Sequence, residues 1–146
     1  MSKFKKLDYD FIKKIISSSS KESSIYIGCD SKLTGPYTLF GLVVVIHIDS
    51  HHGASVYGKR LLVDRRMDMK DRLMREVDYA MEAAFSLNDF IGDRNFEVHL
   101  DINGNPKHKS NVVMKQAVAY VKAQGFICKI KPGAWAASTA ADYLIH

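Results

Sequence analysis

Ile25-Tyr26-Ile27-Gly28-Cys29-Asp30 is a short β-rich run that ends in an acidic residue. The next apolar segment, 39–48, is rich in β-branched residues and predicts a strand that is buried on both faces of a sheet. A polar turn over 49–53 and a third run over 54–63 follow at once. Three strands in such quick succession predict an antiparallel meander that starts with this first run.

Helices and strands alternate after the meander. Apolar residues at helical spacing predict a helix over 68–88, and strands are predicted at 96–102 and 126–130. A helix that Ser110 caps lies between these two strands, and a small-residue helix, 136–145, follows them. A further helix, 8–19, with Asp8 as its cap, precedes the meander. The order predicts an α/β protein with one mixed sheet and helices packed on it. We expect a single domain, 1–146, with its core over about 24–146.

The bulk composition is that of an ordinary soluble globular protein, with 146 residues, 47% hydrophobic and 25% charged. No apolar stretch approaches the length of a membrane-spanning helix, and the basic N-terminus has no apolar run behind it. The two cysteines, Cys29 and Cys128, are too few for a disulfide scaffold or a four-cysteine zinc site. These features predict a cytoplasmic protein with reduced thiols. The net charge of +5 favours a polyanionic partner.

Four acids occupy positions from which their side chains could converge. Asp30 and Asp101 end predicted strands, Glu76 lies on the edge of the buried stripe of the helix over 68–88, and Asp142 lies in the last predicted helix. Clustered carboxylates repel one another unless cations neutralise them. The set therefore predicts a divalent metal site and phosphate chemistry.

The sequence resembles the ribonuclease H-like superfamily, and within it the YkuK type of small bacterial and phage proteins. The similarity is carried by the order of elements, the four acids and a set of short strings. These strings are Gly28-Cys-Asp-Ser31, Asp101-Ile-Asn-Gly-Asn-Pro106, Lys109-Ser-Asn111, Lys131-Pro-Gly-Ala-Trp-Ala-Ala-Ser138 and Ala141-Asp142.

The resemblance implies a ribonuclease H-like fold with a five-stranded mixed sheet in the order 3-2-1-4-5, flanked by helices, and an N-terminal helical extension. It also implies a nuclease that uses two Mg²⁺ or Mn²⁺ ions to hydrolyse phosphodiester bonds of RNA, DNA or an RNA–DNA hybrid. Its catalytic and metal-binding residues would be Asp30, Glu76, Asp101 and Asp142, with Asp30 bridging both ions.

Two alternatives to a general nuclease stay open at this stage. One is a non-catalytic nucleic-acid-binding module that kept the fold, although intact acids argue against it. The other is a Holliday-junction resolvase-like endonuclease, which would normally act as a homodimer. No membrane partner is expected for any of the three.

Basic residues near the predicted site are candidates for contact with nucleic acid. Lys107, His108 and Lys109 lie in the loop that follows Asp101, and Lys131 comes just before the last helix. A basic loop that touches phosphate is the simpler interpretation of His108 and its two lysines, and a solvated lysine at a strand end is the alternative for Lys131. Trp135 could stack on a base, but an anchor in the core for the last helix is the simpler expectation.

Overall fold

A computed structural model describes residues 4–49, 53–102 and 111–146 of the chain. Six strands form one mixed sheet in the order β1-β4-β3-β2-β5-β6. The strands are β1 Lys5–Lys6, β2 Ser24–Thr34, β3 Tyr37–Asp49, β4 Gly53–Val63, β5 Asn95–Leu100 and β6 Ile127–Lys129. The helices are α1 Tyr9–Ser18, α2 Met69–Ile91, α3 Asn111–Ala123, a π-helix Ala136–Ala141 and α4 Asp142–Ile145.

The sheet confirms the predicted meander and strand order. β2, β3 and β4 are antiparallel neighbours, while β5 runs parallel to both β2 and β6. Numbered without β1, this order is the expected 3-2-1-4-5. The predicted count of five strands was wrong, because Lys5–Lys6 adds a short sixth strand parallel to β4. Two exposed lysines carry no strand signal, and backbone pairing with Tyr57 and Gly58 creates this strand.

The larger hydrophobic core lies between one face of the sheet and the helices α1, α2 and α3. Asp8 caps α1 as predicted, since its Oδ1 accepts from the backbone N–H groups of Asp10 and Phe11. Ile12 and Ile16 of α1 are fully buried in this core. Gly125, with a φ of +90°, follows α3 and marks its end.

The opposite face of the sheet carries the π-helix and α4, and three glycines let this segment lie unusually close. A Cβ on Gly28 would overlap the backbone of Ala136 and Ala137. A Cβ on Gly41 would lie 2.7 Å from Ile145 Cγ2, and one on Gly58 would lie 2.9 Å from Leu144 Cδ2. Both distances are shorter than van der Waals contact. The C-terminal segment can therefore lie this close to the sheet only because these positions have no side chains.

Two boundaries differ from the sequence prediction in ways that matter for the site. β2 continues to Thr34, so Asp30 lies within the strand, whereas a strand end was predicted. The strand continues because β3 pairs with it as far as Thr34, well past the point where β5 stops. The predicted last helix begins as a π-helix and becomes α-helical only at Asp142.

Other features of the fold bear on the expected environment of the protein. No helix among the described residues is long and apolar enough to cross a membrane. Both cysteines are free thiols, Cys29 buried and Cys128 half-buried. Trp135 is 45% exposed, so the expectation that it anchors the last helix in the core was wrong.

Candidate active site

Asp30 lies beside Asp101 because of the parallel register of β2 and β5. Cys29 is paired with Leu100, the last residue of β5. Asp30 follows Cys29 and Asp101 follows Leu100, so the two aspartates come directly after a paired position. The side chains of consecutive strand residues point to opposite faces. Gly28 and Asp30 therefore face the C-terminal segment, whereas Cys29 and Ser31 face α2. Asp30 is buried, and its Oδ1 accepts from the backbone N–H of Ser31 at 2.8 Å.

Glu76 reaches the same region from α2 and is only 8% exposed. Its Oε2 accepts a short hydrogen bond from the hydroxyl of Ser31. The guanidinium of Arg72 donates to Ser31 Oγ at 3.0 Å and to the Ser31 carbonyl at 2.9 Å. Arg72 thus donates to Ser31, and Ser31 donates to Glu76. Because Ser31 follows Asp30 directly, these bonds hold the Glu76 carboxylate beside Asp30.

Asp101 forms an ion pair with Lys131, whose Nζ lies 2.8 Å from Asp101 Oδ1. The backbone N–H of Lys131 also donates to the carbonyl of Ile102 at 3.0 Å, which anchors the lysine next to the end of β5. Oδ1 itself is buried, and no donor in the described part of the chain meets it with hydrogen-bond geometry. The pKa of Lys131 is raised by this contact with Asp101, so the ammonium is the positive partner of the carboxylate in the metal-free protein.

Asp142 reaches the cluster from the first turn of α4. Its carboxylate is half-exposed, and Oδ1 lies 3.0 Å from Nε2 of His146, one turn later. The carboxyl groups of Asp101 and Asp142 both lie within hydrogen-bond reach of Asp30. Among the described residues, Asp30, Asp142 and His146 also form a group whose potential ligand atoms all lie within 4.8 Å of one another. Asp30 is thus the central member of the set.

The π-helix is attached to the sheet near Asp101 by a buried histidine. His99, on β5, accepts the backbone N–H of Ala136 at its Nδ1, 3.0 Å away. Its Nε2 lies 2.8 Å from Glu97 Oε1, and its ring stacks on Tyr26. His99 thus orients the segment that carries Asp142. No sequence motif around His99 predicts this role.

A cavity of about 200 Å³ lies where these segments meet. Its walls combine acidic, basic and apolar side chains: Asp30, Met69, Arg72, Leu73, Glu76, Asp101 and Met114. Three of the four predicted acids thus share one small pocket, and the fourth, Asp142, contacts it through Asp30.

The electrostatics of the cavity favour added positive charge. Burial, reinforced by the Asp101 charge, raises the pKa of Asp30 from 3.8 to about 7, against the lowering effect of the Ser31 N–H. Burial raises the pKa of Glu76 from 4.5 to about 8, although the Ser31 hydroxyl opposes the rise. Carboxyl groups that hold protons near neutral pH in this way mark a site that is short of cations.

The donor set fits a divalent cation that prefers hard oxygen ligands. All four acids offer carboxylate oxygens, which suit Mg²⁺ and Mn²⁺. Asp101 Oδ1 already has a positive partner in the Lys131 ammonium, 2.8 Å away, which shows that this oxygen can accept a cation. Arg72 and Lys131 bring positive charge to the rim, so the cluster is partly balanced without metal.

The predicted nucleic-acid-binding residues have different outcomes. Lys107, His108 and Lys109 lie outside the described residues. Lys131 lies at the site, but its ammonium group is engaged with Asp101.

Sequence reasoning missed three residues that belong to the site. Ser31 was overlooked although it follows Asp30 directly. Arg72 was not predicted to belong to the site, and the structure turns it towards Ser31. His146 had a usable signal, since its spacing of four residues from Asp142 is that of neighbours on one helical face.

Comparison with known proteins gives one family and similar solved structures. The family model described as Ribonuclease H-like matches residues 9–145. The N-terminal RNase H domain of rv2228c from Mycobacterium tuberculosis, solved as a fusion with maltose-binding protein, is 18% identical over 86% of this chain and 100% of that chain, with a TM-score of 0.45. LC11-RNase H1, isolated from compost, is 17% identical over 87% of this chain and 100% of that chain, with a TM-score of 0.44. No curated protein matches the chain. The narrower resemblance to the YkuK type stays a prediction.

Proposed function

Because the chain belongs to the ribonuclease H-like family, we propose that it is a divalent-metal-dependent nuclease that hydrolyses phosphodiester bonds in nucleic acid. The observation that carries this proposal is the convergence of two buried carboxylates, from β2 and α2, and a partly buried one from the end of β5 on one cavity. Such a concentration of negative charge is costly to bury and serves no packing purpose. A bound cation would offset that cost.

The residues proposed to hold metal are the four acids, with His146 as a further candidate beside Asp142. Two Mg²⁺ or Mn²⁺ ions, when bound, supply an activated water and stabilisation of the leaving oxygen. Asp30 is the candidate to contact both ions, since Asp101 and Asp142 lie within hydrogen-bond reach of its carboxylate. Glu76 and Asp142 approach Asp30 from opposite faces of the sheet.

Residues around the acids prepare the site before substrate arrives. The Ser31 N–H and hydroxyl orient Asp30 and Glu76 at the same time, and Arg72 holds Ser31 in place. This arrangement fixes the carboxylates in advance and reduces the ordering that metal binding requires. The Lys131 side chain is 45% exposed, so it can turn from Asp101 to a substrate phosphate once another cation neutralises that carboxylate.

A nuclease screen with Mn²⁺ tests the proposal. The substrates are labelled RNA–DNA hybrid, single strands, duplex DNA and a four-way junction. The wild-type chain is expected to cleave at least one of them, and Asp30→Asn is expected to abolish that cleavage. Asp89→Asn, which changes an exposed acid near the far end of α2, serves as the matched control and should retain activity.

The outcomes separate the alternatives. Cleavage by Asp30→Asn without added metal would overturn the proposal. Failure of the wild-type chain to bind Mn²⁺ in calorimetry would favour a non-catalytic nucleic-acid-binding module. Cleavage confined to the four-way junction, together with a dimer in sedimentation, would favour a resolvase-like endonuclease.

A further inference from the structure

A second pocket lies next to the acidic cluster, between α4, β4 and the N-terminal segment. Its volume is about 290 Å³, near the lower end of the range for small-molecule sites. Its lining combines aromatic, basic and apolar side chains: Phe4, Arg60, Tyr143, Leu144, Ile145 and His146. None of the predicted site acids lines it.

Two aromatic rings form one wall of this pocket. Phe4 and Tyr143 stack with their ring centroids 5.5 Å apart and an interplanar angle of 30°. Tyr143 nevertheless remains 45% exposed. A partly exposed aromatic ring that is supported from one side by another ring is a suitable surface for a flat π-system.

Positive charge lies at the rim of the pocket. Arg60 is exposed, and its Nε donates to the carbonyl of Leu144 at 2.9 Å, which holds the guanidinium beside α4. A ligand that combines a flat ring with negative charge fits this arrangement.

The pocket is continuous with the acidic cluster through His146. This residue lines the pocket and also lies 3.0 Å from Asp142. Tyr143 follows Asp142 directly. A strand whose phosphate lies at the acids would therefore bring an adjacent nucleotide over Tyr143.

From this juxtaposition we propose that the pocket binds an unpaired nucleobase of the substrate strand, next to the phosphate held at the acidic cluster. The inference rests on the proposed function, because it names a substrate class for the same site. A base inside a duplex has both faces covered by its neighbours, so only an unpaired or extruded nucleotide can stack on Tyr143. The substrate strand is thus single-stranded, at least locally, beside the cleaved bond.

Binding of fluorescent 12-nucleotide DNA strands in EDTA, followed by anisotropy, tests the inference without cleavage. One strand carries all its bases, and the other has the same backbone with abasic sites throughout. Tyr143→Leu keeps an apolar group against Phe4 but removes the π-face, whereas Tyr143→Phe retains the face. Tyr120→Leu changes a similarly exposed tyrosine on α3 and is the matched control.

We expect Tyr143→Leu to bind the base-containing strand about fivefold or more weakly, in line with the loss of one stacked base. Tyr143→Phe and Tyr120→Leu should bind it as the wild type does, and all variants should bind the abasic strand equally. Equal affinities of Tyr143→Leu and Tyr120→Leu for the base-containing strand would overturn the inference alone. If the wild type binds neither strand, the inference fails, and the nuclease screen with Mn²⁺ decides separately whether the proposed function fails. Urea midpoints of the variants establish that each is folded.

Discussion

Replacement of Glu76 by glutamine is expected to stabilise the metal-free protein in alkaline solution. The folded protein keeps the Glu76 proton up to a pKa of about 8, whereas the unfolded chain releases it near 4.5. The unfolded state therefore binds fewer protons between these values, and the free energy of unfolding falls as the pH rises. Glutamine has almost the same shape but cannot ionise, so Glu76→Gln removes this loss.

The size of the effect follows from the two pKa values. They differ by about 3.5, and each pKa unit is worth about 1.4 kcal/mol, which gives an upper limit of about 5 kcal/mol. Water can enter the adjoining cavity and lower the cost of the charge. We therefore expect Glu76→Gln to raise the free energy of unfolding by about 2–4 kcal/mol at about pH 9. The Ser31 hydroxyl bond is retained, because the glutamine carbonyl accepts it.

Urea unfolding in EDTA, at about pH 4 and about pH 9, measures this difference. Glu82→Gln is the control, since Glu82 is exposed on the same helix and its replacement should change stability by less than about 0.5 kcal/mol. At about pH 4 the two variants should differ little from the wild type. An unchanged or lowered stability of Glu76→Gln at about pH 9 would refute the reasoning. Added Mg²⁺ should raise the free energy of unfolding of the wild type more than that of Glu76→Gln.

Three other substitutions test separate parts of the structure. Gly28→Ala forces a Cβ into the backbone of Ala136 and Ala137 and should cost about 3 kcal/mol or more in urea unfolding, whereas Gly133→Ala should have little effect. Lys131→Met removes the cation that competes at Asp101, and calorimetry should show Mn²⁺ binding about fivefold tighter, equivalent to about 1 kcal/mol. Lys14→Met, a change at an exposed lysine of α1, should leave the Mn²⁺ affinity within twofold of the wild type. Asp8→Ala removes the cap of α1 and should lower the free energy of unfolding by about 1 kcal/mol.

The strand pattern was sufficient to predict how Asp30 and Asp101 meet, because parallel neighbours bring equivalent positions to one place. Helical phase likewise predicted that Glu76 lies at the edge of the buried stripe, and it is buried. The position of Asp142 depended on the family resemblance. A four-residue helix at the end of the chain has too little periodicity to predict a contact.

Other parts of the site depend on tertiary geometry that local patterns do not encode. Arg72 looks like an ordinary exposed residue of α2, and only the path of β2 beyond Asp30 gives it Ser31 as a partner. A π-helix has the same composition as an α-helix of small residues, so the sequence cannot distinguish them. The close approach at Gly28 was also invisible, since a glycine in a strand has several possible causes.

Gly28 and Gly41 let the C-terminal segment lie close against the sheet, and this packing brings Asp142 to the other three acids. Three acids belong to the sheet and α2, whereas Asp142 lies on a separate segment, whose local opening would remove one ligand and leave the sheet intact. Amide hydrogen exchange over residues 136–145 would detect such openings. A divalent ion that binds Asp142 together with Asp30 would slow exchange in this segment more than in β3. Metal binding and the packing of this segment on the sheet would then be coupled. The contribution of Asp142 to the metal affinity would depend on the free energy of that packing.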